Sequence, residues 1–289
     1  MTGSATHQPE PANTRKPSAS LRLLNAVIFF PLVGLATTVF GCVSLIAGLW
    51  DTSGRQQHAI ARAWARTLLW ITISGVSIEG AGKLRHHPTA VYVSNHLSYM
   101  DIPVLFAQLP FQFRILAKQS LWKIPFVGWY LHRSGQVPVD SSNSRSAVAG
   151  LLRGVATLRS GLPLVLFPEG GRTPNGHLQT MQSGSAWMAI RAQVPIVPLT
   201  LIGTYELLAM HTYTLQPRPL RIHVGDPIST AGLTTRDADA LTQQVHRAIE
   251  TAYYRYSDVD RPALTGLTPP VSISKPQEPQ PQPDRNQES

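Results

Sequence analysis

The pattern of apolar and polar positions changes twice along the chain. Leu23 to Trp50, "LLNAVIFFPLVGLATTVFGCVSLIAGLW", runs without a formal charge, longer than the roughly 20 residues that cross a bilayer core. The stretch predicts a membrane segment, since the apolar part of a cleaved signal peptide is normally only about 7 to 15 residues. Pro31 and Gly34 offer a bend and predict a re-entrant hairpin in one leaflet, with a single crossing as the alternative. The next segment, "RQQHAIARAWARTLLW", places Ile60, Ala63, Trp64, Thr67 and Leu68 on one helical face and Arg55, Arg62 and Arg66 on the other. Such a helix lies either on an anionic membrane surface or against a core with its basic face in solvent.

From about Gly75 to Ser257 the pattern is mixed. Strand-like runs "AVYVS", "FRILA", "GQVPV", "LPLVLF", "PIVPLTLI" and "LRIHVG" alternate with helical ones. A helix is predicted over Ser144 to Arg159, with Val148, Leu151, Leu152, Val155 and Leu158 as its apolar stripe. Another is predicted over Arg236 to Tyr254, opened by a Thr234/Asp237 capping box. The alternation predicts an α/β fold, a layered, partly parallel sheet flanked by helices, behind an N-terminal membrane-associated helical segment. The expected organisation is a disordered lead over 1–20, the anchor and basic helix over 21–70, the catalytic domain over 71–260 and a Pro/Gln-rich disordered tail over 261–289.

Charge and composition narrow the partners. Across 289 residues the formal net charge is +9, which favours an acidic partner: nucleic acid, an anionic membrane or a phosphorylated substrate. The long apolar segment selects the membrane, because a nucleic-acid binder accounts for the charge and not for the anchor. Cys42 is the single cysteine, so an intrachain disulfide and a thiolate zinc cluster are both ruled out.

Two polar constellations interrupt the apolar runs. In "VYVSNHLSYMDIPVLF", His96 and Asp101 flank a tight turn between a strand and a helix. Asp101 would accept the Nδ1 proton of His96 and leave Nε2 as a general base. This is the His and Asp part of a triad with no protein nucleophile, which leaves the nucleophile to the substrate, most simply a hydroxyl. The alternative is that Ser98 and Asp101 form a capping box in which Asp101 only satisfies backbone donors. In "LPLVLFPEGGRTPNG", a buried-type strand opens into Glu169, Gly170, Gly171 and Arg172. Arg172 suits bidentate phosphate contacts, and Glu169 would orient it or bind a substrate hydroxyl. Both constellations follow buried strands, where the ligand crevices of α/β sheets form. No G-x-S-x-G elbow is present, which argues against an esterase.

"NHLSYMD" resembles the N-H-x-x-x-x-D motif, and "FPEGGRT" the F-P-E-G-T-R-S motif, of glycerolipid acyltransferases, especially the lysophosphatidic acid acyltransferases. "AKQSLWKIPFVGWYLHRSGQVPVD" is similar to that family's second block and "VPIVPLTLIG" to its fourth. The resemblance implies that His96 deprotonates the acceptor hydroxyl and Asp101 orients His96. It also implies that Glu169, Gly170 and Arg172 hold the glycerol phosphate, with Lys118 as a further phosphate ligand. The implied donor is an acyl thioester, acyl-coenzyme A or acyl carrier protein, with a lysophospholipid acceptor, an anionic membrane, no nucleic acid, no metal and no cofactor. A membrane location is expected, the inner membrane if the source is a bacterium, with the catalytic domain facing the cytoplasm. Two departures bear on the acceptor. Asp140 is followed by "SSNSR" where the family often has Asp-Arg, so Arg145 is the candidate substitute, and Gly171 stands where the family usually carries a hydroxyl. A phosphate-free lysolipid, such as lyso-ornithine lipid, is the alternative acceptor. A non-catalytic membrane-binding protein is the alternative from another class.

Overall fold

Seven strands form one sheet in the order β1-β7-β6-β2-β5-β3-β4. They are β1 Val76–Glu79, β2 Val91–Ser94, β3 Arg114–Lys118, β4 Val137–Val139, β5 Leu164–Leu166, β6 Ile196–Ile202 and β7 Leu220–Val224. This computed structural model describes residues 17–51, 53–86, 89–140 and 144–261. The expected lead up to residue 16 and tail from residue 262 lie outside the described residues. β2, β3, β4, β5 and β6 run parallel, whereas the β6–β7 pair is antiparallel and β1 pairs parallel with β7. The expected α/β class and partly parallel sheet are both present.

Burial follows the position of each strand. β2, β5 and β6 are buried at every residue, the mark of parallel strands covered on both faces. β1 and β7 alternate buried or half-buried positions with more exposed ones, as strands near an edge do. β1 is absent from the sequence expectation because "VSIE" is short and only half apolar. One face of the sheet packs Tyr92, Val165 and Val197 against the helices Arg55–Ile71 and Asp101–Gln108. The other packs Val91, Val93, Leu164 and Leu166 against Ser144–Arg159, Gly184–Ala192 and Ala238–Tyr256.

The first of these three helices has the limits its periodicity predicts, but its packed face includes Gly150 and Gly154, and Val148 and Leu152 of the expected stripe stay exposed. A Cβ on Gly150 would meet the Pro138 carbonyl at 3.0 Å. Glycine is what lets this helix approach β4, and an apolar stripe does not record it. The last helix follows the expected capping box of Thr234 and Asp237.

The N-terminal helix departs from expectation. Ala19–Ala47 is one helical run of 29 residues with a mean hydropathy of 2.2 over its best window, long and apolar enough by length and composition to cross a membrane. No hairpin forms at Pro31 and Gly34. The turn over Asn25–Phe29 is a wider π-turn, which makes room for the Pro31 ring that would otherwise clash with the preceding turn. The chain reverses instead between this helix and Arg55, where Asp51 accepts the backbone amides of Ser53, Gly54 and Gln56 at 2.7–3.0 Å. The helix is tied down at both ends. Asn25 exchanges side-chain hydrogen bonds with both backbone groups of Leu215 at 3.0 and 2.7 Å, and the Gly48 carbonyl accepts from Arg133 at 2.8 Å.

The basic helix Arg55–Ile71 buries Leu68 of the expected stripe, but otherwise Ala61, Ala65 and Leu69 in place of Ile60, Ala63, Trp64 and Thr67. Small alanines score weakly as hydrophobic but permit close helix approach, so the packed face is rotated from the one that large side chains suggest. Trp64 faces the N-terminal helix and donates to Thr37 Oγ1 at 3.1 Å. Arg62, expected in solvent, donates to the Leu109 and Phe111 carbonyls at 2.8 and 3.1 Å. The helix is therefore a packed element of the fold that leaves Arg55 and Arg66 exposed.

Candidate active site

β2 and β5 are neighbours and run parallel, so the two polar constellations leave the sheet side by side at its C-terminal edge. Asn95 closes β2: its side chain accepts the Leu201 N–H at 2.8 Å and donates to the Leu201 carbonyl at 2.9 Å. The strand end is thereby pinned to β6 before the chain turns. His96 follows, and its Nδ1 lies 2.8 Å from Asp101 Oδ2. That oxygen also accepts the Leu97 and Ser98 amides at 2.6 and 2.8 Å. One carboxylate oxygen thus serves the backbone donors of the turn and meets the histidine ring at the same time. Asp101 is fully buried and the His96 side chain retains 12% exposure, enough for the imidazole to meet a substrate. Phe167 lies against the imidazole, ring centroids 4.1 Å apart at 23°.

The second constellation grips the first through the backbone. Glu169 Oε1 accepts the His96 N–H at 3.0 Å, Oε2 accepts the Gln179 N–H at 3.1 Å, and the Thr173 N–H donates to the His96 carbonyl at 3.0 Å. Burial pushes the Glu169 carboxyl up to about 8, against the two amide donors that favour its ionised form. Gly170 takes a positive φ of 75°, which allows the turn that returns the loop to His96.

Arg172 is held apart from Glu169. Its guanidinium lies over the Tyr99 ring, 3.9 Å from the centroid, with Nη1 4.0 Å from Met210 Sδ. The expectation that Glu169 orients Arg172 gives way to this arrangement, in which Glu169 is engaged by backbone amides and Tyr99 carries the arginine. Among the described residues no carboxylate forms an ion pair with Arg172. Its positive charge is left available to an anion beside the His96 and Asp101 pair.

Lys118 ends β3 on the same edge and is exposed, one strand beyond β5. Arg145 sits in the first turn of the helix that follows β4, one strand further out. At about 4.8 Å per strand, β4 is about 14 Å from β2, so the fold gathers His96, Asp101, Glu169 and Arg172 and leaves Lys118 and Arg145 on the flank. Sequence reasoning missed the supporting residues Asn95, Tyr99, Phe167, Thr173 and Gln179. All but Gln179 lie inside or beside the two motifs, where an aromatic residue next to a charged one was the available signal. Among the described residues no group of three His, Cys, Asp or Glu side chains is placed to hold a metal ion.

Residues 75–202, which include every one of the candidate site residues, match the family model described as Acyltransferase. A chloroplastic 1-acyl-sn-glycerol-3-phosphate acyltransferase of Arabidopsis thaliana is 35% identical over 188 residues, 63% of this chain and 52% of that protein. A Brassica napus relative of the same description is 33% identical and matched over 54% of its length, so the chain spans about half the length of these two. The 1-acyl-sn-glycerol-3-phosphate acyltransferase beta of Homo sapiens is 27% identical over 82% of this chain and 87% of its own. In fold, the chain is similar to the crystal structure of the 1-acyl-sn-glycerophosphate acyltransferase PlsC from Thermotoga maritima. The TM-score is 0.67 at 24% identity, with 81% of this chain and 95% of that one covered.

Proposed function

We propose, from the match of residues 75–202 to the acyltransferase family model, that the protein is a membrane-bound enzyme that acylates lysophosphatidic acid to phosphatidic acid. The observation that carries this reading is the 2.8 Å pair of His96 and Asp101, with Arg172 unpaired by any described carboxylate beside it. His96 Nε2 takes the proton of the acceptor hydroxyl as its oxygen attacks the carbonyl carbon of the acyl thioester. The C–O bond forms, the C–S bond breaks, and the imidazolium returns the proton to the departing thiolate. Asp101 holds the tautomer and stabilises the imidazolium between the two transfers. Glu169 and Gly170 set the loop that positions His96, and Arg172 receives the acceptor phosphate, with Lys118 and Arg145 as outer phosphate contacts. The sequence of steps is a proton relay and an acyl transfer, so it includes no metal or redox cofactor.

The N-terminal helix is the proposed membrane element, and it lies in one leaflet. Both of its ends are tied to the catalytic domain, which a single crossing would place on opposite sides of the bilayer. Acyl-coenzyme A and acyl carrier protein reach the site from the cytoplasm, so the domain faces that side. The deciding experiment offers lysophosphatidic acid and a phosphate-free lysolipid in competition, with acyl-coenzyme A and acyl carrier protein as separate donors. Preferential formation of phosphatidic acid is expected. Transfer only to the phosphate-free acceptor would replace the substrate, and transfer to neither would reject the reading.

A further inference from the structure

Outside the N-terminal helix, the densest group of exposed large apolar side chains is Leu121, Ile124, Phe126, Val127 and Trp129, with Phe126 63% and Trp129 57% exposed. These residues follow the end of β3, on the edge that carries His96. The exposure is built in. Phe126 adopts a φ of 63°, and a Cβ on Gly128 would strike the Trp122 backbone, so the turn is tight and specific. Ile73 and Tyr213, which precede β1 and β7 on the same edge, are also exposed and also have a positive φ, 51° and 47°. A face turned to water would gain nothing from strained backbone that displays large apolar side chains.

Charge identifies what covers this loop. Between Asp101 and Asp140 the chain carries no acidic residue, Lys118 and Arg133 flank the apolar group and Lys123 lies within it. Tryptophan among basic residues is the composition of a lipid interface. The loop is continuous with the proposed membrane element. A cleft of about 790 Å³ lies between Ile46 and Leu49, at the C-terminal end of the N-terminal helix, and Trp122 and Trp129, and it is also lined by Arg133, which donates to the Gly48 carbonyl. We propose that Leu121 to Trp129 is a second membrane-docking element, separate in sequence from the anchor, that enters an anionic leaflet and holds the catalytic edge at the level of the acceptor headgroups. The proposal rests on the membrane-bound reading above.

The test uses the full chain with Cys42→Ser and a nitroxide on a cysteine at Ile124 (Ile124→Cys), mixed with phosphatidylglycerol and phosphatidylethanolamine vesicles. A second sample carries the label at Ser229 (Ser229→Cys), beside the Ile196–Ile228 bridge at the opposite edge of the sheet. The label at 124 should lose contact with a water-soluble nickel relaxant and gain contact with oxygen, while the label at 229 should not change. A label at 124 that stays as open to nickel with vesicles as without them would overturn the proposal. Phe126→Gly relieves the positive φ, so it keeps the fold, and it should weaken vesicle binding about tenfold, the lower end of the worth of one buried phenyl ring. Unchanged binding would count equally against the loop. Acyl transfer is measured on the same samples. A protein that inserts the loop and transfers nothing supports docking and rejects the enzymatic reading, whereas one that transfers while the label stays in water overturns docking alone.

Discussion

Glu169 holds His96 by its backbone and not by its ring. Its Oε1 accepts the His96 N–H at 3.0 Å, while the His96 Nδ1 turns to Asp101 at 2.8 Å. His96 is therefore positioned by two carboxyl groups with separate tasks, one for the main chain and one for the imidazole. Removing either should have a different signature.

Glu169 makes stability depend on pH in an unusual direction. Burial raises its carboxyl from 4.5 to about 8, so the folded state holds the proton more tightly than the unfolded one. That contribution is complete below about pH 4.5 and is lost as pH rises through about 8. Chemical unfolding of the wild type should show stability falling across this window. Glu169→Gln keeps an acceptor for the His96 N–H and should flatten the slope. An unchanged slope would show that Glu169 titrates as an ordinary carboxylate.

His96→Ala should abolish transfer and leave the fold intact, because the ring's hydrogen bond serves the chemistry and its backbone bonds remain. A positioned general base contributes on the order of 100-fold to 10,000-fold. Asp101→Asn retains an oxygen for the Leu97 and Ser98 amides but carries no charge to balance an imidazolium, so turnover should drop on the order of 10,000-fold with little change in melting temperature. Wild-type turnover in this variant would leave Asp101 with the capping role alone.

Arg172→Ala should weaken use of lysophosphatidic acid by roughly 2–5 kcal/mol, the cost of truncating one partner of a desolvated charged pair. A phosphate-free acceptor should lose far less. Tyr99→Leu should act in the same direction by about 0.5–1 kcal/mol, the worth of an exposed cation–π contact, and Tyr99→Phe should restore it. The readout is KM for each acceptor. Equal losses for both would mean that Arg172 shapes the loop without reading phosphate.

Asn95→Ala leaves the buried N–H and carbonyl of Leu201 unpaired, at about 1–3 kcal/mol for each. Its denaturation midpoint should fall clearly below that of His96→Ala. If the two variants unfold alike, the tie between β2 and β6 is not what supports the base.

The leaflet position of the anchor is open to labelling. Cysteines at Ser18 and Gln56 in a Cys42→Ser background, one on each side of the apolar helix, should both resist an impermeant thiol reagent in intact cells and both react once the membrane is opened. Reaction of either from outside would establish a crossing.

What the sequence determined by itself was local. The apolar runs of β2 and β5 announced buried strands, since burial on both faces leaves little polar alternation to read. The limits of the helix Ser144–Arg159 came from 3.6-residue periodicity, and His96 with Asp101 stood out because polar residues at the seam of two apolar segments need a reason. Tertiary structure decided whatever depended on a partner distant in sequence. The N-terminal segment is one helix tied at both ends because Asn25 meets Leu215 and Gly48 meets Arg133, contacts no local pattern contains. The basic helix turns its alanines inward because the neighbouring helices come close, and small side chains carry little hydrophobic signal. Glu169 faces the His96 amide and Arg172 faces Tyr99 because parallel pairing sets the ends of β2 and β5 side by side, and only that register determines which atoms of the two loops can meet.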